Sequence, residues 1–252
     1  MKYKISAVSY LNTLPFLYGL QQSEYLKDKS EITVDYPARV ADKLISGKAD
    51  IGLVPVVILK DYPHLKIISK YGIVADGEVA SVKLFSPQPV NNIDRILLDY
   101  QSRTSVNLVR ILARYHWKIN PQWIKTANGF EYDAASKDAA VIIGDRALRL
   151  LGKVKYEYDL AQEWKKMTGL PFVFAVWAAN KPLETEFIRN FDLALQAGIE
   201  NIPAVIDFFQ DRTSKVRPFF DPYRYLSSCI KYPLTSQAYQ AIEKFFYFLE
   251  QI

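Results

Sequence analysis

The 252-residue chain contains one cysteine, Cys229, and only two histidines, His64 and His116. A single cysteine excludes an intrachain disulfide framework and a cysteine-based metal site. The histidines pair neither with each other nor with the cysteine at metal-ligand spacing, so no zinc site is predicted. We therefore expect any enzymatic activity to proceed without a metal or other cofactor and without a histidine base.

Long hydrophobic runs are also missing. The longest apolar stretches, at 53–59 and 171–179, are much shorter than the roughly 20 residues that span a bilayer. The basic, then apolar N-terminus imitates a signal peptide, but Ser6 and Ser9 interrupt it and no small-x-small cleavage site follows. These features predict a cytoplasmic protein that does not act at a membrane.

Clusters of basic residues are scarce as well. The formal net charge is +5, but the lysines and arginines are scattered and are not interleaved with aromatic residues. This distribution argues against a nucleic-acid partner, whereas a mild positive balance suits an anionic small molecule. We therefore expect a small-molecule substrate. The composition does not indicate the oligomeric state.

What the chain does have is a regular alternation of strand and helix patterns, with half of its residues hydrophobic and 14% aromatic. The N-terminal part predicts a βαβαβ unit with a parallel sheet. Its elements are a first strand ending near Val8, strands at 31–36, 49–55 and 65–69, and a helix at 37–46 that stops at Gly47.

The rest of the chain continues the pattern. Further predicted elements are strands at 95–99 and 139–145, and helices at 104–117, 147–151, 183–198, 202–210 and 236–251. The segments around Trp123 and Trp164 are not assigned to elements.

Two long strand-like segments, at 78–87 and 170–179, are interpreted as connections between two lobes. The predicted first lobe is discontinuous, 1–86 plus 177–252, and the second lobe is inserted at 87–176. This is the α/β architecture of a two-lobed binding protein with a ligand cleft between the lobes. A single doubly wound domain is the alternative that the composition leaves open.

The loop after the first strand carries the polar residues Ser9, Asn12 and Thr13, and Pro15 then begins a helix. We call this segment, residues 9–13, the first loop. Ligands of open α/β sheets bind where a strand's carboxyl end leads into a helix, and helix starts attract anions. Neutral hydroxyl and amide groups suit recognition of an oxygen-rich molecule. An ordinary helix N-cap is the alternative.

A second polar turn follows the strand that ends at Asp99. Ser102, Thr104 and Ser105, which we call the hydroxyl cluster, stand at a predicted helix start beside Arg103. Hydroxyls and free N–H groups at such a place can bind a carboxylate. A capping motif is the alternative, but it would require only one of the hydroxyls.

Five ordered motifs, covering nearly the whole chain, resemble the chorismate dehydratase family of the futalosine-dependent menaquinone pathway. They are VSYLNTxP at 8–15, DIGLVP at 50–55, SxTSV at 102–106, IGDxAL at 143–148 and TGLPFVFAVW at 168–177. The resemblance implies a type II periplasmic-binding-protein-like fold and conversion of chorismate to 3-[(1-carboxyvinyl)oxy]benzoate and water. A sister enzyme of that pathway would carry a catalytic histidine, and no suitably placed histidine is found here.

Given this resemblance, we assign roles to the candidate residues as hypotheses. Asn12, supported by the rest of the first loop, would orient the substrate's hydroxyl or ring carboxylate, and the hydroxyl cluster would bind a carboxylate from the opposite lobe. Asp145 would accept a proton or fix a neighbouring donor, with helix capping as the alternative. Ser86 would face the cleft, unless its hydroxyl only bonds to backbone at a hinge. Arg39 and Arg146 follow turns and are set aside as solvent-facing.

The proton acceptor stays open, and a carboxylate of the substrate is one candidate. Three other functions also remain. A solute-binding protein would carry an export signal or a lipid-anchor cysteine, and neither is seen near the N-terminus. A regulator's ligand-sensing domain would need a helix-turn-helix ahead of the first strand. An enzyme resembling prephenate dehydratase would release carbon dioxide as well as water.

Overall fold

The computed structural model describes residues 2–130, 137–216 and 220–252, and these ranges include every candidate site residue. The chain divides into two compact units. The first comprises Met1–Val74 and Val173–Thr235, and the second comprises Ala75–Phe172 and Ser236–Ile252.

The strands of the described ranges form two sheets, one in each unit. In chain order they are β1 (Tyr3–Val8), β2 (Ser30–Asp35), β3 (Ile51–Pro55), β4 (Lys66–Ala75), β5 (Val82–Ser86), β6 (Arg95–Leu98), β7 (Gln122–Lys125), β8 (Ala139–Ile143), β9 (Tyr156–Asp159), β10 (Phe172–Ala179) and β11 (Lys231–Pro233).

Twelve α-helices of the described ranges are distributed among these strands. They are α1 (Leu14–Gln22), α2 (Glu24–Lys29), α3 (Pro37–Ile45), α4 (Ile58–Asp61), α5 (Arg103–Leu112), α6 (Gly144–Leu150), α7 (Leu160–Thr168), α8 (Thr185–Glu200), α9 (Ile202–Phe208), α10 (Gln210–Thr213), α11 (Pro222–Arg224) and α12 (Ser236–Leu249). None of the described helices has both the length and the apolar character needed to cross a membrane.

The sheet of the first unit has the order β11-β4-β10-β3-β1-β2. Strand β1 runs parallel to β2 and β3, as the sequence predicts, but β10 runs antiparallel to β3. The sheet is therefore mixed. The antiparallel strand begins 117 residues after the end of β3 (172 − 55), beyond the reach of a local pattern.

The sheet of the second unit has the order β7-β6-β8-β5-β9. Strand β6 is parallel to both β7 and β8, whereas β5 is antiparallel to β8 and β9. Four strands therefore point one way, and their carboxyl ends share one edge with the beginning of β5. We call this the carboxyl edge of the second sheet.

The α/β pattern predicted from the sequence is confirmed, but one predicted connection differs. The segment at 78–87 forms β5 only from Val82 and lies within the second sheet, because the chain already enters the second unit at Ala75. The two unassigned tryptophans lie in regular elements, Trp123 in β7 and Trp164 in α7.

The last helix, α12, groups with the second unit, whereas the predicted lobes place 177–252 in the first. The reason is aromatic packing: the ring of Phe245 lies 5.2 Å from Phe172 and 6.2 Å from Trp164, centroid to centroid. Such edge-to-face pairs add to the burial of apolar area. The division of the chain into a discontinuous first lobe and an inserted second lobe stays a prediction.

Two glycines bring α1 and α8 into backbone contact. A Cβ added at Gly198 would lie 1.8 Å from the carbonyl oxygen of Pro15, and one at Gly19 would lie 1.8 Å from that of Ala194. Neither obstacle is a flexible side chain. The contact fixes the start of α1, and with it the first loop, which leads directly into this helix.

We expect Gly198→Ala to lower the free energy of unfolding by about 2 kcal/mol or more, because an added methyl group overpacks the contact. Helix propensity alone predicts the opposite sign, a gain of about 1 kcal/mol. Urea denaturation would measure the difference. Leu193→Ala, at a side chain that is 51% exposed on the same helix, is the control. A Gly198→Ala protein as stable as the wild type would contradict the contact.

Candidate functional site

The first loop is tied back onto the strand that precedes it. The hydroxyl of Thr13 lies 2.6 Å from the carbonyl oxygen of Val8 and 2.7 Å from that of Tyr10, and it makes no cap hydrogen bond to α1. The ordinary N-cap interpretation of this hydroxyl is therefore not what the structure shows. Thr13 shapes the turn, and its direct contact with a substrate stays a prediction.

Asn12 is the residue of the first loop with an unused polar atom. Its side chain is only 8% exposed, and its Oδ1 is buried without a hydrogen-bond partner. Because a buried acceptor without a donor is unfavourable, this oxygen is suited to accept a hydrogen bond from a ligand hydroxyl. The role of Asn12 in orienting a substrate stays a prediction.

Ser9 holds the same loop through its backbone. Its N–H donates to the carbonyl oxygen of Asp35 at 2.9 Å, and its own carbonyl oxygen accepts from Arg212. Arg212 lies in α10, 203 residues further along the chain, and brings a guanidinium to the first loop. No sequence motif marks it, so sequence reasoning missed it.

In the second unit, the hydroxyl cluster lies at the start of α5, on the carboxyl edge of the second sheet. All three residues are buried, with 8% exposure or less. Ser102 is the N-cap: its Oγ accepts from the N–H of Ser105 at 3.0 Å. The capping alternative therefore accounts for Ser102. Thr104 and Ser105 are left as the stronger candidates for a carboxylate at this ten-residue helix.

Asp99 links this turn to the next one along the edge. Its carboxylate accepts from the N–H of Gln101 at 2.9 Å and from the N–H of Ile143 at 3.0 Å. It also accepts from Arg146 Nη2 at 2.8 and 2.7 Å. Burial raises the pKa of Asp99, while Arg146 and the two N–H groups oppose that shift.

Arg146 does not face solvent, which corrects the sequence interpretation. Its side chain is 14% exposed, and its guanidinium lies over the rings of Tyr100 at 5.4 Å and Phe130 at 5.9 Å. Its position next to Asp145 in the IGDxAL motif was the available signal. Arg39, by contrast, is 62% exposed, as expected.

Asp145 lies in the first turn of α6 and is half-buried. The cap position belongs to Ile143, so Asp145 is not the N-cap of this helix. A carboxylate in a first turn interacts favourably with the positive end of the helix dipole. Asp99 connects its turn directly to the hydroxyl cluster, and a role for Asp145 in proton transfer stays a prediction.

Ser86 is not brought to this edge. Strand β5 runs antiparallel to β8 with Phe85 opposite Ala140, so Ser86 lies near the amino end of β8. Its hydroxyl donates to the carbonyl oxygen of Gln88 at 2.7 Å and accepts from the N–H of the same residue at 3.2 Å. The backbone-bonded alternative describes this geometry, and we do not carry Ser86 forward.

The opposite end of β5 does reach the edge, through a strained loop. Ala80 has a φ of 62°, in the left-handed region that non-glycine residues rarely adopt. The carboxylate of Asp159 accepts from the N–H groups of Val79 and Ala80, at 3.1 and 2.7 Å. The carbonyl oxygen of Ser81 then accepts from the N–H of Gly144 at 2.8 Å. Asp159 therefore positions the turn that carries Asp145.

Within the described ranges, no three His, Cys, Asp or Glu side chains converge in the manner of a metal site. His116 instead forms a hydrogen bond with Glu163, with Nε2 lying 2.8 Å from Oε2.

Comparison with known proteins gives one family and one fold. A family model described as menaquinone biosynthesis matches residues 3–251. A chorismate dehydratase from Thermus thermophilus is 29% identical over 163 residues, which are 58% of this chain and 59% of that protein. One from Campylobacter jejuni is 43% identical over 58 residues, 22% of this chain and 26% of that protein. The alignments thus span less than two thirds of these curated relatives.

Solved structures support the fold expected from the sequence. A crystal structure of a protein from Archaeoglobus fulgidus has a TM-score of 0.81 at 14% identity, covering 99% of this chain and 97% of that one. The alkanesulfonate-binding protein SsuA from Xanthomonas axonopodis has a TM-score of 0.61 at 15% identity, covering 99% and 93%. The periplasmic-binding-protein-like α/β fold with mixed sheets is therefore confirmed.

We expect Asp159 to make the free energy of unfolding depend on pH. Burial raises the pKa of its carboxyl to about 6, from an ordinary value of 3.8. The folded state then binds more protons than the unfolded state between these values. The contribution of this group is fully present below pH 3.8 and is lost as the pH rises through about 6. Denaturation at a series of pH values should show this slope, and Asp159→Asn should remove it. An unchanged slope in Asp159→Asn would contradict the assignment.

Proposed function

Because the chain belongs to the menaquinone biosynthesis family, we propose that it is a chorismate dehydratase, a hydro-lyase that forms 3-[(1-carboxyvinyl)oxy]benzoate and water. The observation that carries the proposal is the family match over residues 3–251, together with curated relatives named for this activity. A cytoplasmic location is part of the same proposal.

The proposed reaction suits a site built from neutral donors and buried acids. Chorismate loses a ring proton and its ring hydroxyl, the two together leave as water, and the ring becomes aromatic. The electron pair left on the ring carbon delocalises through the diene into the ring carboxylate. A protein can accelerate this step by positioning the substrate and by stabilising the developing negative charge.

In the first loop, Asn12 is proposed to orient the leaving hydroxyl. Its buried Oδ1 lacks a donor, and a substrate hydroxyl supplies one. The loop is preorganised for this contact, since Thr13 and Arg212 hold the backbone on either side. A preorganised acceptor does not have to reorganise when the substrate binds.

At the carboxyl edge of the second sheet, Thr104 and Ser105 are proposed to bind a substrate carboxylate at the start of α5. The helix N-terminus supplies N–H groups and a favourable dipole for an anion. Arg146 neutralises the carboxylate of Asp99 at this edge, so that acid does not repel an incoming substrate carboxylate. Asp145, in the neighbouring turn, is proposed to accept the proton or to position the group that does.

We expect purified protein to convert chorismate to a product that is lighter by one water and retains the carboxyvinyl ether, without added metal or nucleotide. Mass-resolved chromatography would measure this. Loss of carbon dioxide as well would instead indicate chemistry like that of prephenate dehydratase. Binding of chorismate with a raised melting temperature but no turnover would favour the alternative, a carboxylate-binding protein of the same fold.

We further expect Asn12→Ala to lower kcat/KM by about 10- to 100-fold, the range for loss of one hydrogen bond in a buried site. Steady-state kinetics would test this. Asn190→Ala is the matched control, because Asn190 donates only to the helix carbonyl of Glu186, at 2.9 Å. If Asn12→Ala kept full turnover while Ser105→Ala lost it, the assignment of the first loop would be contradicted.

A further inference from the structure

The second unit carries a groove that the proposed reaction does not use. It has a volume of about 760 Å³ and is formed by α5, the π-helical segment that follows it, the approach to β7 and the end of α12. Cationic side chains line one part of it, Arg110, Arg114 and Lys118. We call it the basic groove.

The cations share one helical face because of their spacing. Arg110 and Arg114 are four residues apart, the separation that places helix side chains side by side. The π-helical segment Ala113–Trp117 widens the next turn, and Lys118 ends it with a left-handed φ of 56°. Segments of this kind are frequent at functional sites. Within the described ranges, no carboxylate forms an ion pair with any of the three cations.

Arg110 is the residue that points to a ligand. Its guanidinium lies over the ring of Trp123, 5.6 Å from the centroid, which holds it in place. Its Nε is buried and has no hydrogen-bond partner. A buried charged donor without an acceptor is costly, and a carboxylate or phosphate oxygen is the acceptor that matches a guanidinium best.

The rest of the lining of the basic groove is largely apolar, apart from Asn107 and Asn120. Its apolar walls are formed by Ile119 and Trp123 together with Leu249 and Ile252 of the C-terminal segment. A small inorganic anion would leave these walls uncovered. An anion attached to a flat apolar body would cover them while its charged end meets the arginines.

The basic groove is separate from the hydroxyl cluster. Ser102 caps the start of α5, whereas Arg110 lies in its last turn, about 12 Å away at 1.5 Å per residue. A ligand in the groove would therefore leave the start of α5 accessible, and both places could be occupied at the same time.

We propose that the basic groove is a second binding site, for an aromatic carboxylate whose carboxylate group bonds to Arg110 and Arg114 and whose ring packs against the apolar walls. This site does not depend on the proposed function, because its geometry involves none of the residues assigned to chorismate.

Isothermal titration calorimetry with 1-naphthoate tests the site. We expect a binding event that is retained in Ser105→Ala, a change at the proposed chorismate-binding turn. Arg110→Gln and Arg114→Gln should each raise Kd by about 10-fold, the effect of losing one charge-assisted hydrogen bond. Arg149→Gln is the matched control, since Arg149 is an exposed arginine on α6, outside the groove.

Two further ligands separate the contribution of the carboxylate from that of the apolar ring. The neutral analogue 1-naphthalenemethanol should bind much more weakly than 1-naphthoate, and so should inorganic phosphate. Equal binding of phosphate would overturn the role of the apolar walls. Unchanged affinity in Arg110→Gln, loss of binding in Ser105→Ala, or no binding of 1-naphthoate to a protein that turns over chorismate would each overturn the site. Melting curves of all variants verify that they are folded.

Discussion

The buried carboxylate of Asp99 is the constraint on which the second unit's candidate site depends. It is 1% exposed, and it is satisfied only because two backbone N–H groups and Arg146 converge on it. Removal of one partner from such a group would leave a buried charge uncompensated. The requirement to satisfy one acid thus joins the turn before α5 to the turn before α6. It holds both in the arrangement that the proposed carboxylate site needs.

In the first loop and the hydroxyl cluster, some polar side chains stabilise the turn, and others are left to contact a ligand. The hydroxyls of Thr13 and Ser102 are occupied by backbone groups and set the shape of their loops. Asn12, by contrast, retains a buried acceptor without a donor. A sequence pattern rich in hydroxyls therefore overstates the number of direct ligands, because closing a tight turn consumes some of the same groups. The rigid turns that result are what preorganised charge stabilisation requires.

Helix α5 connects two chemically different places. Its first turn carries the hydroxyl cluster and the positive end of the helix dipole, while its last turn and the π-helical segment carry the cations of the basic groove. Both ends attract anions, one through backbone N–H groups and the other through guanidinium and ammonium groups. The second place has the apolar walls of the groove beside its cations, so the two places would select different anions.

The sequence by itself determined the alternation of elements, the polar loops after β1, β6 and β8, and the family. Periodicity and turn residues such as Gly47 act over a few positions, and they survive in any fold that uses them. Only the tertiary structure decided the antiparallel direction of β10, the placement of α12 with the second unit, the edge at which Ser86 lies and the partners Asp99–Arg146 and Ser9–Arg212. A local pattern reports which face of an element is buried, but not which distant element covers it, because that depends on contacts between residues far apart in the chain.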